Sequence, residues 1–272
     1  MRKLLLKGML FLALNAALSV VVLHLHASTL TTVPWETDSV LMAMPSSAHT
    51  DLIFLGTSRT YLLSRFREHH EMVEKTLGRN VFNMALPQGG GITPARFYLE
   101  TFWEQGNTTD RIVYFLDPFV LYSPGANENH KFVYFEPFRI AFLAKLVRNH
   151  YPYRRIITYV RSKFSAAWLF RKPRPLIHHI AALSESEYTE ERIALRLDSL
   201  YPDGLPEDVF ATYTAEFEHI IALCEKHDTP LTVIVPPTLL GPEPGHDAMI
   251  AWLRKLAEKG GIAVRDWVEA MP

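Results

Sequence analysis

Asp51-Leu52-Ile53-Phe54-Leu55-Gly56-Thr57-Ser58-Arg59-Thr60 is the stretch on which the fold turns. Its apolar run, with aromatic and β-branched content, reads as a buried strand. The run stops at a glycine, and a serine follows two residues later. From Leu62 onward apolar residues recur at helical spacing through Leu63, Phe66, Val73 and Leu77, which predicts a helix over about 59–77. A serine in such a turn has its hydroxyl at the carboxyl end of a strand. Its N–H sits at a helix N-terminus, where developing negative charge is stabilised. Open α/β sheets bind ligands at that edge, so the placement suits a nucleophile. Ser58 or Thr57 equally suits the role of N-cap, and the rest of the chain has to separate the two readings.

Asn80-Val81-Phe82-Asn83-Met84 reads as a second strand, running into a loop that contains Gly89-Gly90-Gly91. Arg111 to Leu116 reads as a third, ending at Asp117-Pro118. Pro230 to Val235 is a fourth strand, stopped by Pro236-Pro237, and Ile262 to Val264 a fifth. Between them lie predicted helices over Thr93 to Trp103, Glu207 to His227 and Asp247 to Lys259, the last with Gly260-Gly261 as its C-terminal signal. A long loop, 118–134, and a region of helical character, about 136–200, separate the third strand from the fourth. Strands alternating with helices imply a parallel sheet with right-handed crossovers. The expected fold is therefore α/β: about five parallel strands, flanking helices and a helical insertion after strand three.

The N-terminus carries a second signal. Arg2, Lys3 and Lys7 precede an apolar run from Gly8 to Leu25, interrupted by Asn15, Ser19 and His24. Its length lies between that of a signal-peptide core and a full membrane span. Cleavage after Ala27 would set Leu25 at the minus-three position, a poor fit, so an uncleaved signal anchor is the expectation. Basic residues before the run keep the N-terminus cytoplasmic and put the remainder outside. The expected organisation is an anchor over 1–27, a Ser/Thr/Pro-containing linker over 28–50 and an α/β domain over 51–272.

Composition narrows the field. With 272 residues, 48% of them hydrophobic, the chain can bury one full α/β core after the anchor and insertion are set aside. A net charge of −1 gives no electrostatic case for nucleic acid. The one cysteine, Cys224, forms no internal disulfide, and its neighbours Phe217, Ile220, Ile221 and Leu223 mark it as a core residue. No cysteine–histidine spacing suggests zinc, and neither a metal nor a cofactor is expected from the motifs.

Gly-x-Ser after strand one, a glycine loop after strand two and a polar residue after strand three together resemble the SGNH (GDSL-type) hydrolase superfamily. The nearest likeness is to its membrane-anchored, extracytoplasmic branch, linked to O-acylation of cell-surface polymers. The resemblance covers roughly 51–272. It implies a flavodoxin-like strand order 2-1-3-4-5 and a serine that attacks an ester carbonyl. The oxyanion would be held by the serine N–H, a glycine N–H and often an asparagine. A histidine from a late Asp-x-x-His segment would activate the serine. Carried onto this chain, Ser58 is the nucleophile, and Gly89, Gly90 or Gly91 supplies a backbone donor. A glycine there allows close approach to substrate and tolerates positive φ; the same glycines also suit a plain turn.

Two blocks depart from the pattern. Where an asparagine donor is expected stands Leu116-Asp117-Pro118, and an ionised aspartate accepts hydrogen bonds and repels an oxyanion. Asp117 is left to orient Arg59, to position a ligand or to cap its loop. After strand five comes Asp266-Trp267-Val268-Glu269, which has the Asp-x-x spacing but ends in glutamate. Without a general base a serine hydroxyl is a poor nucleophile. His246 after strand four and His130 after strand three lie on the serine's side of the sheet. His246 also suits a loop residue before a helix, and its neighbour Asp247 is not expected to pair with it. His69-His70 and His178-His179 are expected to be solvated, and so are the Arg154-Arg155 and Arg171 to Arg174 clusters, whose alternative use is to hold an anionic polymer or lipid headgroups.

The sequence reading is thus a membrane-anchored ester hydrolase or O-acyltransferase for envelope polysaccharide, with little or no activity on simple esters expected from an incomplete triad. The alternative is a catalytically silent component that binds polysaccharide or envelope-biosynthesis proteins. A third reading, a phosphate-binding flavodoxin-like module, would use Gly89 to Gly91 as an anion nest and have no need of the serine.

Overall fold

The computed structural model describes residues 1–30, 46–63, 68–85, 90–128, 133, 136, 138–164, 189–238 and 242–268. Phe66, Gly89, His130, His178-His179, the Arg171 to Arg174 cluster, most of the expected linker and Glu269 lie outside them. The chain falls into two compact units, one of residues 1–35, 42–44 and 133–174, the other of 36–41, 45–132 and 175–272.

The second unit holds a five-stranded sheet in the order β2-β1-β3-β4-β5. The strands are β1 (His49–Gly56), β2 (Val81–Asn83), β3 (Thr108–Phe115), β4 (Leu231–Val235) and β5 (Ile262–Asp266). Every neighbouring pair is parallel. The expected strand order is therefore observed, with β1 and β3 each beginning a little earlier than the apolar runs suggest. Both faces of the central strands are covered, which is why they read as continuous apolar runs rather than alternating ones. Phe54, Val81, Val113 and Ile234 pack on one face, joined by Leu52, Leu63, Val73 and Phe115. On the other face Ile53, Leu55, Ile112 and Val233 are completely buried. There the Tyr114 ring meets Phe217 of the Glu207–Lys226 helix edge-on at 5.1 Å. Each such aliphatic side chain contributes about 1.5–3 kcal/mol through burial. Cys224 lies buried on the same helix, its thiol pushed up to about 12 by burial.

The helix expected over 59–77 does not start as an α-helix. A 3-10 turn covers Thr60–Leu63, and an α-helix covers Glu68–Leu77. Local bonding explains the tight start: the Thr60 N–H and the Thr60 hydroxyl both donate to the Thr57 carbonyl, at 3.1 and 2.8 Å. Such short-range bonds compete with the α-helical ladder. The loop expected after Asp117 likewise contains structure, a 3-10 turn Pro118–Tyr122 and a helical turn Pro124–Asn127. A proline opens each, and Ser123 caps the second. Within the expected insertion, helices cover Ile140–Arg148, Tyr153–Ser162 and Glu190–Leu200.

The first unit contains the N-terminal helix Arg2–Leu30. Its Lys3–Leu23 stretch, 21 residues with a mean hydropathy of 2.0, is long and apolar enough to cross a membrane. The helices Ile140–Arg148 and Tyr153–Ser162 belong to the same unit and share the ring of Tyr159, which packs on Phe138 and Phe142. The Tyr159 hydroxyl accepts from the Arg139 N–H at 3.0 Å. Arg154 and Arg155 are exposed, as a solvated face requires.

Candidate functional site

In a parallel sheet every strand ends at the same edge. The loops bearing Ser58, Gly90-Gly91, Asp117 and His246 follow β1, β2, β3 and β4, so all four leave that one edge. β1 exits through Gly56, whose φ of +148° and approach to Phe115 both exclude a larger residue; an added Cβ would lie 2.8 Å from the Phe115 carbonyl oxygen. Thr57 then turns inward and Ser58 outward into solvent. Ser58 precedes a 3-10 turn, Thr60–Leu63, where the sequence predicts the start of an α-helix.

Arg59 and Asp117 do come together, and they bring residues the sequence did not single out. Arg59 Nη1 lies 3.1 Å from Asp117 Oδ1, and Arg59 Nη2 donates to Glu243 Oε1 at 2.7 Å. The first approach is a charge contact without hydrogen-bond alignment, since Oδ1 accepts no properly aimed donor. The Thr57 hydroxyl donates to Asp117 Oδ2 at 2.6 Å. The Tyr201 hydroxyl donates to Glu243 Oε2 at 3.3 Å. Both carboxylates are 1% exposed, whereas Arg59 is 36% exposed. Burial pushes the Asp117 carboxyl up to about 6; Arg59 and the Thr57 hydroxyl pull it down, and Glu243 pushes it further up. Burial and Glu243 likewise raise the Tyr201 phenol, and burial with Asp117 raises that of Tyr114. With both carboxylates ionised the trio of Arg59, Asp117 and Glu243 carries a net charge of −1. Arg59 is thus held between two buried carboxylates beside the Ser58 turn. Asp117 caps no helix with its side chain and lies against Arg59.

The second glycine block is also used structurally. Gly91 precedes the Ile92–Glu104 helix with φ of −87°, an ordinary extended value rather than the positive φ allowed for. Its lack of a side chain serves packing: a Cβ would lie 2.7 Å from Asn127 Cα and closer still to the Asn127 amide. Asn127 Oδ1 accepts from the Ile92 N–H at 2.7 Å, and its Nδ2 donates to the Val120 and Ser123 carbonyls. Asn83, at the end of β2, donates to the Thr60 carbonyl and so ties the second loop to the serine turn. Gly90 is buried beside Gly91.

His246 opens the His246–Glu258 helix, after Gly245 at φ of +80°. Its Nε2 lies 3.2 Å from Asp266 Oδ2, at the end of β5, and its Nδ1 lies 3.3 Å from Asp247 Oδ1. The contact with Asp247 overturns the expectation that sequence neighbours would diverge here: at a helix start the two side chains can bend toward each other. Asp247 is nevertheless fully exposed, whereas the His246 side chain is only 12% exposed and Asp266 33%. The approach to Asp266 is again in ion-pair range but outside hydrogen-bond alignment. The His246 N–H donates to the Glu243 carbonyl at 3.1 Å. That bond links the His246–Asp266 pair to the Arg59–Glu243 contact and so to the residue following Ser58. His70, expected to be solvated, is buried: Nδ1 bonds the Leu63 carbonyl at 2.9 Å and Nε2 faces Glu74 one turn on. Its neighbour His69 is half-buried.

Asn83, Tyr201 and Glu243 were not singled out in the sequence, and the contacts that Thr57 and Asp266 make here were not foreseen from it. Asp266 carried a signal as the start of the Asp-x-x segment just past the fifth strand, and Thr57 one as the residue before Ser58 in the turn. A surface hollow of about 450 Å³ lies at the opposite edge, against Arg111, Asp228, Leu231 and Ile262, where strands begin. Ligands of open α/β sheets bind at strand ends instead, the edge from which the Ser58 turn leaves. Comparison with known protein families, with curated proteins and with solved structures found no match for this chain.

Proposed function

We propose that this chain is a membrane-anchored serine ester hydrolase or O-acyltransferase of the SGNH (GDSL-type) kind, acting on envelope polysaccharide. In this reading Ser58 is the nucleophile, His246 the general base and Asp266 the carboxylate that orients and stabilises the imidazolium. The observation that carries it is the His246–Asp266 pair at 3.2 Å, on the edge from which the Ser58 turn also leaves. In this reading the pair supplies the general base for Ser58.

The steps balance in the ordinary way. The Ser58 hydroxyl attacks the ester carbonyl carbon as its proton passes to His246 Nδ1, which exchanges the solvated Asp247 for the serine. Backbone N–H groups of Ser58 and of Gly90 or Gly91 receive the oxyanion. Collapse expels the alcohol, which takes the proton back from His246. Water, or a sugar hydroxyl for transfer, then releases the acyl group by the reverse sequence. Arg59, held by Asp117 and Glu243, keeps the Ser58 turn in place throughout.

Arg2, Lys3 and Lys7 ahead of the apolar helix support an N-in anchor with the α/β unit outside the cytoplasm. A reporter fused after Pro272 should be active only in its extracytoplasmic form, and strong cytoplasmic activity would reject this topology.

One observation favours the silent alternative: both ring nitrogens of His246 face carboxylates. Hydrolysis of a chromogenic acetyl ester by the full chain in detergent separates the two readings. The active reading expects Ser58→Ala and His246→Gln each to lower kcat/KM by roughly a thousandfold or more, and Asp266→Asn by a comparable factor. A parent rate equal to that of Ser58→Ala would establish the silent reading.

A further inference from the structure

At the opposite edge of the sheet, where β1 and β3 begin, three side chains turn one polar atom each toward a common point. His49 and Asp51 lie two apart on β1 and so share a face. Asp110 occupies the adjoining position on β3, between the register pairs Thr50–Thr109 and Leu52–Arg111. His49 Nε2 is 3.7 Å from Asp51 Oδ1 and 3.5 Å from Asp110 Oδ1, and the three atoms lie within 4.8 Å of one another.

What distinguishes this from a casual surface ion pair is the anchoring of the three remaining polar atoms. His49 Nδ1 bonds Thr108 Oγ1 at 2.9 Å. Asp51 Oδ2 accepts from the Asn80 N–H at 2.8 Å. Asp110 Oδ2 accepts from Arg79 Nη1 at 3.1 Å. Asn80 is itself fixed, since its Oδ1 accepts from the Thr50 hydroxyl and the Asp51 N–H at 2.7 and 2.8 Å. Each inward atom thus belongs to a group whose outward atom is already held. That is how outer partners set the orientation of metal ligands. In the tautomer whose Nδ1–H donates to Thr108 Oγ1, the Nε2 lone pair points inward.

We propose that His49, Asp51 and Asp110 bind one divalent transition-metal ion of the Zn²⁺ class. Ligand atoms about 2.0–2.2 Å from such an ion stand roughly 3.3 Å apart in a tetrahedral set, so the observed separations need close by only a fraction of an ångström to somewhat over one. One imidazole with two carboxylates suits a borderline first-row ion better than Mg²⁺ or Ca²⁺, which prefer all-oxygen shells. Two aspartates against one Arg79 leave a net negative site. His49 and Asp110 are each 51% exposed, so a fourth position is open to water and the ion has a route in. A bound ion would fasten the start of β1 to β3. It is independent of the chemistry proposed at Ser58, which leaves the sheet at the other edge.

The test is titration of the full, chelator-treated chain in detergent with ZnCl₂ by calorimetry, with Co²⁺ absorption as a second readout of ligand geometry. The expectation is one Zn²⁺ per chain with a Kd of about 1 μM or tighter. His49→Gln and Asp110→Asn should each weaken binding at least about tenfold, and Thr108→Val about 10–100-fold. These are exposed or partly exposed positions, and far-UV circular dichroism confirms that each variant is folded. His219→Gln, which alters an exposed histidine with one carboxylate neighbour, should leave the affinity unchanged. Binding weaker than about 1 mM would overturn the proposal. So would affinity indifferent to His49→Gln and Asp110→Asn, or Mg²⁺ competing on equal terms.

Discussion

Arg59 Nη2 lies 2.7 Å from Glu243 Oε1, a contact that joins residues 184 positions apart in the chain. Because the same guanidinium also faces Asp117, one partly exposed cation serves two carboxylates that are almost completely buried. Removing a charge from such a cluster costs more than forming it gained, because its partners stay desolvated. Arg59→Ala is therefore expected to destabilise the α/β unit by about 3 kcal/mol, the low end for a buried pair because Arg59 is itself in contact with water. Adding Glu243→Gln should restore part of the loss. Urea unfolding of the single and double variants measures both effects; strictly additive losses would mean the two side chains are not coupled.

Asp117 makes stability depend on pH in a direction opposite to that of most carboxylates. Its folded-state value of about 6 stands above the ordinary 3.8, so between the two the folded chain holds a proton that the unfolded chain has released. The favourable contribution is full below about pH 4 and is lost as pH rises through about 6, a change on the order of 3 kcal/mol. Asp117→Asn removes the titrating group. The difference in unfolding free energy between parent and variant should shift in favour of the variant from about pH 4 to pH 7. Parallel curves across that range would contradict the assignment.

Gly56 is expected to tolerate no side chain. A Cβ there meets the Phe115 carbonyl oxygen at 2.8 Å, and the φ of +148° is strained for any other residue. Gly56→Ala should cost about 1–3 kcal/mol or more. Gly125→Ala provides the contrast: its Cβ would meet nothing nearer than Ser123 Oγ at 3.8 Å, so it should be neutral or slightly stabilising. Thermal unfolding of the pair decides, and equal melting temperatures would refute the packing argument.

Cys224 should be chemically silent in the folded chain. It is buried, and its thiol is pushed up to about 12, so thiolate is scarce and access is closed. A disulfide-exchange reagent such as Ellman's should label it only after urea unfolding. Rapid labelling under native conditions would show that the Glu207–Lys226 helix opens there.

The sheet was legible because its determinants are local. Asp51 to Leu55, Arg111 to Leu116 and Pro230 to Val235 read as strands from their apolar runs because both faces of a parallel sheet are covered, and right-handed crossovers leave few orders to consider. The start of the expected helix at 59–77 was misread because apolar spacing alone could not reveal that the Thr60 N–H and hydroxyl both bond the Thr57 carbonyl.

By itself, then, the sequence determined the α/β class, the strands and an apolar N-terminal helix fit to cross a membrane, because each depends on residues close together along the chain. Only the tertiary structure decided that Arg59 meets Glu243, that Asp266 faces His246 and that His49 and Asp51 share a corner with Asp110. Those pairings depend on which strand ends adjoin and on how burial strengthens a charge contact. Neither leaves a periodic trace in the chain, since a polar side chain's partner is set by the packing of the apolar residues around it.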